Sequence, residues 1–147
     1  MDKIRPKIGI GVYITDGKGN LLMTLRTSPH EPGTWCPPGG HLEMGESVLD
    51  CCKREVKEEV GLDVDGVEML VAVNNIFSSG KHYVNVDFVA KGVTGTPEIG
   101  EPEKIGKIGW YPLDDLPQPL MLPTINLFKD YSEVLAKLKT FNSLKDA

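Results

Sequence analysis

Three glutamates, Glu55, Glu58 and Glu59, stand at offsets of zero, three and four, and those offsets share one face of an α-helix. Like charges at this spacing repel, and each pair weakens an isolated helix by about 0.2–0.5 kcal/mol. A segment that breaks a local rule in this way usually does so where it works. The chemistry that gains is hard-cation binding, because Mg²⁺ takes oxygen ligands and is typically held by one or two carboxylates together with substrate phosphates. The competing reading is a solvated helix whose charges serve solubility. The lysines weigh against it: Lys53 and Lys57 fall with Asp50 on the remainder of the helix, away from the glutamates. Arg54, at the edge of the acidic face and four residues before Glu58, can pair with it. The spacing therefore favours a metal–phosphate site.

The helix that carries these groups is legible at both ends. Ser47 is a good N-cap with Asp50 three residues on, an acidic variant of the capping box. Gly61 follows the last periodic residue, where a left-handed C′ position is expected. Leu49, Cys52, Val56 and Val60 gather into one apolar stripe, with the glutamates roughly a quarter turn away. The preceding loop, Trp35 to His41, holds two prolines and two glycines, and the glycines let backbone groups come close to a ligand.

Gly40, then Glu46, then Arg54-Glu55-Val56-Lys57-Glu58-Glu59-Val60-Gly61-Leu62 resembles the complete box of the MutT/Nudix hydrolases, with no departure at its fixed positions. The resemblance implies hydrolysis of a nucleoside diphosphate linked to another group, with Mg²⁺ (or Mn²⁺) as cofactor. It implies Glu55 and Glu59 as metal ligands, Glu58 sharing the metal or an outer position, and Arg54 orienting the carboxylates. It further implies that the carbonyl of Gly39 completes the metal shell. The fold it implies is an α/β (α+β) one, an α/β/α sandwich with a mixed β-sheet. Downstream, Asn74-Asn75-Ile76-Phe77, His82-Tyr83-Val84, Glu101-Pro102-Glu103-Lys104 and Trp110-Tyr111 followed by Leu116-Pro117 occur in order. They are similar to the plant and animal MutT-like branch, some of whose members act on oxidised purine nucleotides. Pro37 departs from the aliphatic residue common in that branch and stiffens the loop entering the site.

Phosphoryl transfer is mostly positioning and charge stabilisation, and metal ions clamp the phosphates and lower the pKa of a bound water. Glu103 is the first candidate for an extra carboxylate serving as base, Glu101 the second, against the plain reading of solvated loop charges. A base needs an aromatic or apolar wall and a few polar edge-reading groups. Trp35, Phe77, His82, Tyr83 and Asn75 are the candidates; core packing is the alternative for Trp35 and Phe77, and a backbone or water partner for His82. The leading expectation is a nucleoside triphosphate pyrophosphohydrolase. The second is the same chemistry on a dinucleotide, nucleotide-sugar or isoprenyl diphosphate. The third, a non-catalytic nucleotide-binding module, ranks last because all the box glutamates are present.

The remaining features set bounds. A chain of 147 residues is one domain's worth, read as a single domain over residues 1–147. A net charge of −5 provides no basic stripe for polymeric nucleic acid, and an acidic protein binding polyphosphate needs metal to offset repulsion. No segment approaches the roughly 18 apolar residues of a membrane span, and the N-terminus reads as a strand, not a signal peptide. Cys36, Cys51 and Cys52 form neither a disulfide framework nor a zinc spacing, which fits a reducing, cytoplasmic setting. The family resemblance implies a homodimer. Along the chain, Ile8–Thr15 and Leu21–Arg26 read as a hairpin around Asp16–Asn20. Thr27–Gly40 reads as loop, Val67–Phe77 and His82–Val93 as strands, and Ile108–Tyr111 as a short strand. Leu113–Leu116 reads as a helical turn, and Thr124–Phe141 as an amphipathic helix broken near Asp130.

Overall fold

The structure, a computed structural model, describes residues 3–145. Ten elements follow in order: β1 (Lys7–Tyr13), β2 (Asn20–Arg26), β3 (Trp35–Cys36), β4 (Gly39–His41), α1 (Val48–Val60), β5 (Gly66–Ile76), β6 (His82–Lys91), β7 (Ile105–Pro112), α2 (Leu122–Asp130) and α3 (Ser132–Thr140). A four-stranded sheet has the order β4-β1-β6-β5, with β1 and β6 parallel and the outer pairs antiparallel. A three-stranded antiparallel sheet has the order β3-β2-β7.

Strand alternation divides the interior in two. Ile10, Val12 and Ile14 meet Phe88, Ala90 and the α1 residues Cys52, Val56 and Val60 on one side. Tyr13, Val73 and Val89 meet Leu127, Val134 and Leu138 of α2 and α3 on the other. The result is the expected α/β/α sandwich with a mixed sheet. Among the described residues no helix is long and apolar enough to cross a membrane.

The expected hairpin forms only at its turn. Asp16 Oδ1 accepts from the backbone N–H groups of Lys18 and Asn20 at 2.8 and 3.1 Å, and Leu22 N–H donates to Ile14 at 2.9 Å. Beyond that the two strands part into different sheets. β1 is needed as a central strand, with β4 on one side and β6 on the other, whereas β2 buries four consecutive residues, Leu21 to Thr24, between β3 and β7. The stretch expected as loop, Thr27–Gly40, holds the short strands β3 and β4, and the strand expected over Ile108–Tyr111 extends to Ile105–Pro112. Leu113–Leu116 is a turn, not a helical segment, closed by Asp115 N–H donating to Pro112 at 2.9 Å. The terminal helix breaks as expected, at Tyr131.

Helix α1 is capped as its sequence requires. Ser47 Oγ accepts from Asp50 N–H at 3.1 Å, and Gly61 sits at φ 71° with its N–H on Lys57. Its buried stripe differs by one column from the expected one. Leu49 is 39% exposed while Cys51 is fully buried. Cys51 lies beneath Arg54, with Sγ 3.7 Å from Nη2 and donating to the His41 carbonyl at 3.6 Å. Gly61→Ala places a Cβ at positive φ and 3.1 Å from Glu98 Cγ. It should cost about 1–2 kcal/mol, read as a lowered urea midpoint with an unchanged slope.

Candidate functional site

Arg54 is the hub of the acidic face. Its guanidinium grips Glu46 with two bonds, Nε to Oε2 at 2.6 Å and Nη2 to Oε1 at 2.9 Å. Nη1 donates to Glu55 at 2.7 Å and reaches Glu58 at 3.4 Å, and Nη2 also donates to the His41 carbonyl at 3.2 Å. The pairing expected with Glu58 forms but is looser than those with Glu46 and Glu55, and Glu43 stands farther off at 3.8 Å. The bidentate grip of Arg54 holds Glu46 down at about 2.

Glu59 and Glu55 are shifted the other way. Glu59 is only 9% exposed, and its Oε1 accepts from the Gly39 N–H at 3.0 Å. Burial pushes it up to about 8, and the charges of Glu55 and Glu101 add to the push. Burial also raises Glu55, helped by Glu58 and Glu101 and opposed by Arg54. The Glu55 carboxylate lies against Gly40, in space that a Cβ on that residue would fill. Carboxylates crowded out of water in this way are stabilised in their charged form by a cation, and their hard oxygens suit Mg²⁺ or Mn²⁺. The donor set therefore fits a divalent ion. As placed, however, no three His, Cys, Asp or Glu side chains among the described residues converge into a cage. Arg54 stands among the acids, and Gly39 meets Glu59 through its N–H.

Of the two candidates for an extra carboxylate, Glu101 is the one whose charge reaches the cluster. The Glu101 side chain is 22% exposed, and its charge acts on both Glu55 and Glu59. Gly100 N–H donates to the Glu59 carbonyl at 2.9 Å, which ties this segment to the end of α1. Glu103 is exposed, two residues farther along, and its carbonyl accepts from Thr27 Oγ1 at 3.4 Å. The Gly100-Glu101 pair was the available signal: Gly100 packs so closely on the Glu58 carbonyl that a Cβ has no room.

A cleft of about 120 Å³ adjoins the acids, sharing Gly39, Gly40 and Glu59 with them. It is well below the roughly 300 Å³ of a typical whole-ligand pocket, with room for one moiety of a ligand. Of the five expected wall residues, Phe77 and Tyr83 line it. Tyr83 is stacked between His30 at 5.9 Å and His41 at 5.3 Å, and Phe77 meets His30 edge-on at 4.7 Å. The other three do not line it. Trp35 is core, edge-on to Tyr111 at 5.1 Å. His82 alternates to the opposite face from Tyr83, and its Nε2 lies 2.5 Å from Asn74 Oδ1. Asn75 is fully buried and spent on internal bonds.

Asn85 and Asp87, unassigned by the sequence reading, stand in the cleft. Both project over β1 where their parallel partners are Gly9 and Gly11, and a Cβ on either glycine would collide with them. The paired i, i+2 pattern on the two strands was visible, but not their register. Burial pushes the Cys51 and Cys52 thiols up to about 12, away from the thiolate form that a nucleophile needs.

Asp87 is 2% exposed, and burial raises its carboxyl from an ordinary 3.8 to about 7. The unfolded chain gives up this proton near 3.8 and the folded protein near 7, so folding stability falls as pH rises across that window. Asp87→Asn should remove this component, so its melting temperature should gain on the parent's between pH 4 and pH 7 and hold that gain above. Arg54→Ala should let Glu46 titrate near the ordinary glutamate range, followed by carboxyl NMR.

Comparison with known proteins matches a NUDIX domain over residues 5–131. The chain is 36% identical over 114 residues to the 8-oxo-dGDP phosphatase NUDT18 of Mus musculus, covering 76% of this chain and 33% of that protein. It is 30% identical over 112 residues to the NAD-capped RNA hydrolase NudC of Stutzerimonas stutzeri (strain A1501), covering 76% and 39%. It thus spans between about a third and two-fifths of the length of these two curated relatives. The solved structure of a MutT NUDIX hydrolase from Burkholderia pseudomallei superposes with a TM-score of 0.79 at 31% identity, covering 92% of this chain and 98% of that one. A UDP-X diphosphatase superposes at 0.73 with 20% identity, a likeness of fold. With that domain match over most of its length and the acidic helix set against the cleft, the chain belongs to the Nudix family.

Proposed function

We propose that this protein is a divalent-cation-dependent pyrophosphohydrolase that cleaves a nucleoside triphosphate to the nucleoside monophosphate and pyrophosphate. The observation that carries the reading is the adjacency of two unlike environments. Crowded carboxylates on α1 lie beside a small cleft walled by Phe77 and Tyr83 and floored by polar side chains. A nucleotide has the same two parts, a polyanion and a flat base. The name of the relative NUDT18, an 8-oxo-dGDP phosphatase, supports a purine nucleotide.

Glu55, Glu58 and Glu59, with Gly39, would hold Mg²⁺ or Mn²⁺. The ion, when bound, supplies charge neutralisation for the phosphates and acidifies water. Arg54 keeps Glu46 and Glu55 oriented through three bonds, so the acidic face is set before a ligand arrives. Glu59 is anchored by the Gly39 N–H, which also fixes the loop between the acids and the cleft. Glu101, whose charge acts on Glu55 and Glu59, would take a proton from the water; the shared electrostatics of the three carboxylates support this choice. Phe77 and Tyr83 supply the wall against which a base packs.

A second reading keeps the chemistry and changes the leaving group. NUDT18 and NudC are named for two different nucleoside diphosphate-linked substrates, so a dinucleotide or nucleotide-sugar is its form. A panel of nucleoside triphosphates, dinucleotides and nucleotide-sugars, run with Mg²⁺ and with Mn²⁺ and scored for pyrophosphate against monophosphate release, separates the two. Pyrophosphate from triphosphates is the expected result; monophosphate pairs from dinucleotides alone would overturn it. Glu59→Gln keeps an oxygen for the Gly39 N–H but loses the charge. It should lower turnover by at least about a hundredfold with unchanged circular dichroism. Undiminished turnover would remove Glu59 from the metal set.

A further inference from the structure

Buried polar atoms almost always find partners, so those that lack them point to a ligand. Asp87 Oδ2 and Thr124 Oγ1 are both buried without a hydrogen-bond partner, and both residues line the cleft. Asp87 has no donor or cation to relieve it, and burial is the sole cause of its raised pKa.

The third group is Asn85, whose orientation is fixed from within the protein. Asn75 Nδ2 donates to the Val73 carbonyl at 3.3 Å, and a carbonyl can only accept. That assigns the Asn75 amide, whose Nδ2 also donates to Asn85 Oδ1 at 2.8 Å while its Oδ1 accepts from Asn126 at 2.8 Å. Asn85 Oδ1 is thereby occupied, and its Nδ2 is the end left over Gly9 at the cleft. Asn85 and Asp87 are two apart on one strand, so roughly 6.7 Å separates their Cα atoms on the same face. Side chains at that distance can address neighbouring groups of one flat base.

Building on the nucleotide reading above, we propose that Asp87 and Asn85 determine base specificity by reading a guanine-type edge, the carboxylate accepting from N1–H and the 2-amino group and the Asn85 amide donating to the 6-carbonyl. The edge chemistry selects among the bases. A carboxylate lacking any donor asks for two adjacent N–H groups, and the amide asks for an acceptor beside them. Adenine and cytosine each offer one amino group next to a bare ring nitrogen, and uracil offers one N–H between two carbonyls. Guanine and its 8-oxo form alone offer two donors beside a carbonyl. The wrong edge leaves Asp87 buried and unpartnered, the arrangement that gives polar sites their largest discrimination.

The experiment compares kcat/KM for GTP, ITP and ATP with Mg²⁺ and, independently of turnover, calorimetric binding of GMP, IMP and AMP. The parent protein should favour guanine over hypoxanthine, which lacks the 2-amino group, by about tenfold or more, and adenine should be poorer still. Asp87→Asn, which replaces one acceptor by a donor, should collapse the guanine-to-hypoxanthine ratio to near one. Asn85→Ala, at a half-buried position, should weaken guanine and hypoxanthine alike and so narrow their advantage over adenine, and it serves if Asp87→Asn fails to fold. Should no triphosphate be hydrolysed while GMP still binds more tightly than IMP in an Asp87-dependent way, the pyrophosphohydrolase reading falls and the edge reading stands. Equal binding of GMP and IMP, or a ratio untouched by Asp87→Asn, overturns the edge reading whatever the turnover.

Discussion

Everything at this site depends on holding acids together that would rather separate. Glu46, Glu55 and Glu58 surround one guanidinium, and Arg54 is the group that makes their proximity affordable in the folded chain. Lysine could not substitute for it: an ammonium is a point charge, whereas the planar fork meets Glu46 with two nitrogens and Glu55 with a third. Glu59 lies outside that web. It is the deepest acid, held by a backbone N–H instead of a cation, and it is accordingly the one pushed farthest up.

The sheet supplies the complementary half. Parallel pairing of β1 with β6 brings Gly9 opposite Asn85 and Gly11 opposite Asp87, so two missing side chains make room for two polar ones. The same β1 pairs on its other edge with β4, and Gly11 there faces Gly39. One strand thus sets the distance between the acidic helix and the polar floor, because β4 leads into α1 while β6 carries the floor. The alternate residues of β1, Ile10 and Val12, anchor the arrangement in the core beneath α1.

What could be read from the residues alone was what is encoded locally. The caps of α1, its glutamate face and the break at Tyr131 all follow from spacings within a dozen residues. Contacts between distant segments were not accessible in this way. The Asp16–Asn20 turn is as strong as expected, yet strands on either side of it leave for different sheets. A turn specifies the reversal, and the longer-range partners specify the rest. Asn75, His82 and Trp35 failed as wall residues because a strand position says which two faces exist but not which one the cleft occupies. Asn85 and Asp87 are hidden in the sequence for the same reason, since their use depends on glycines more than seventy residues earlier. What sets Glu101 apart from Glu103 is a backbone bond from Gly100 to the end of α1.

The chain of amides from Val73 through Asn75 to Asn85 carries a consequence for how such clefts diverge. An asparagine side chain is nearly two-fold in outline, so turning it over scarcely alters the shape of a wall but exchanges hydrogen-bond polarity. Here that polarity is inherited from a main-chain oxygen on β5 and shared with α2 through Asn126. A related protein could keep every residue that a ligand touches, lose only Asn75, and present the inverse pattern to the same ring. Ligand preference in this architecture is thus partly written in residues that no ligand meets.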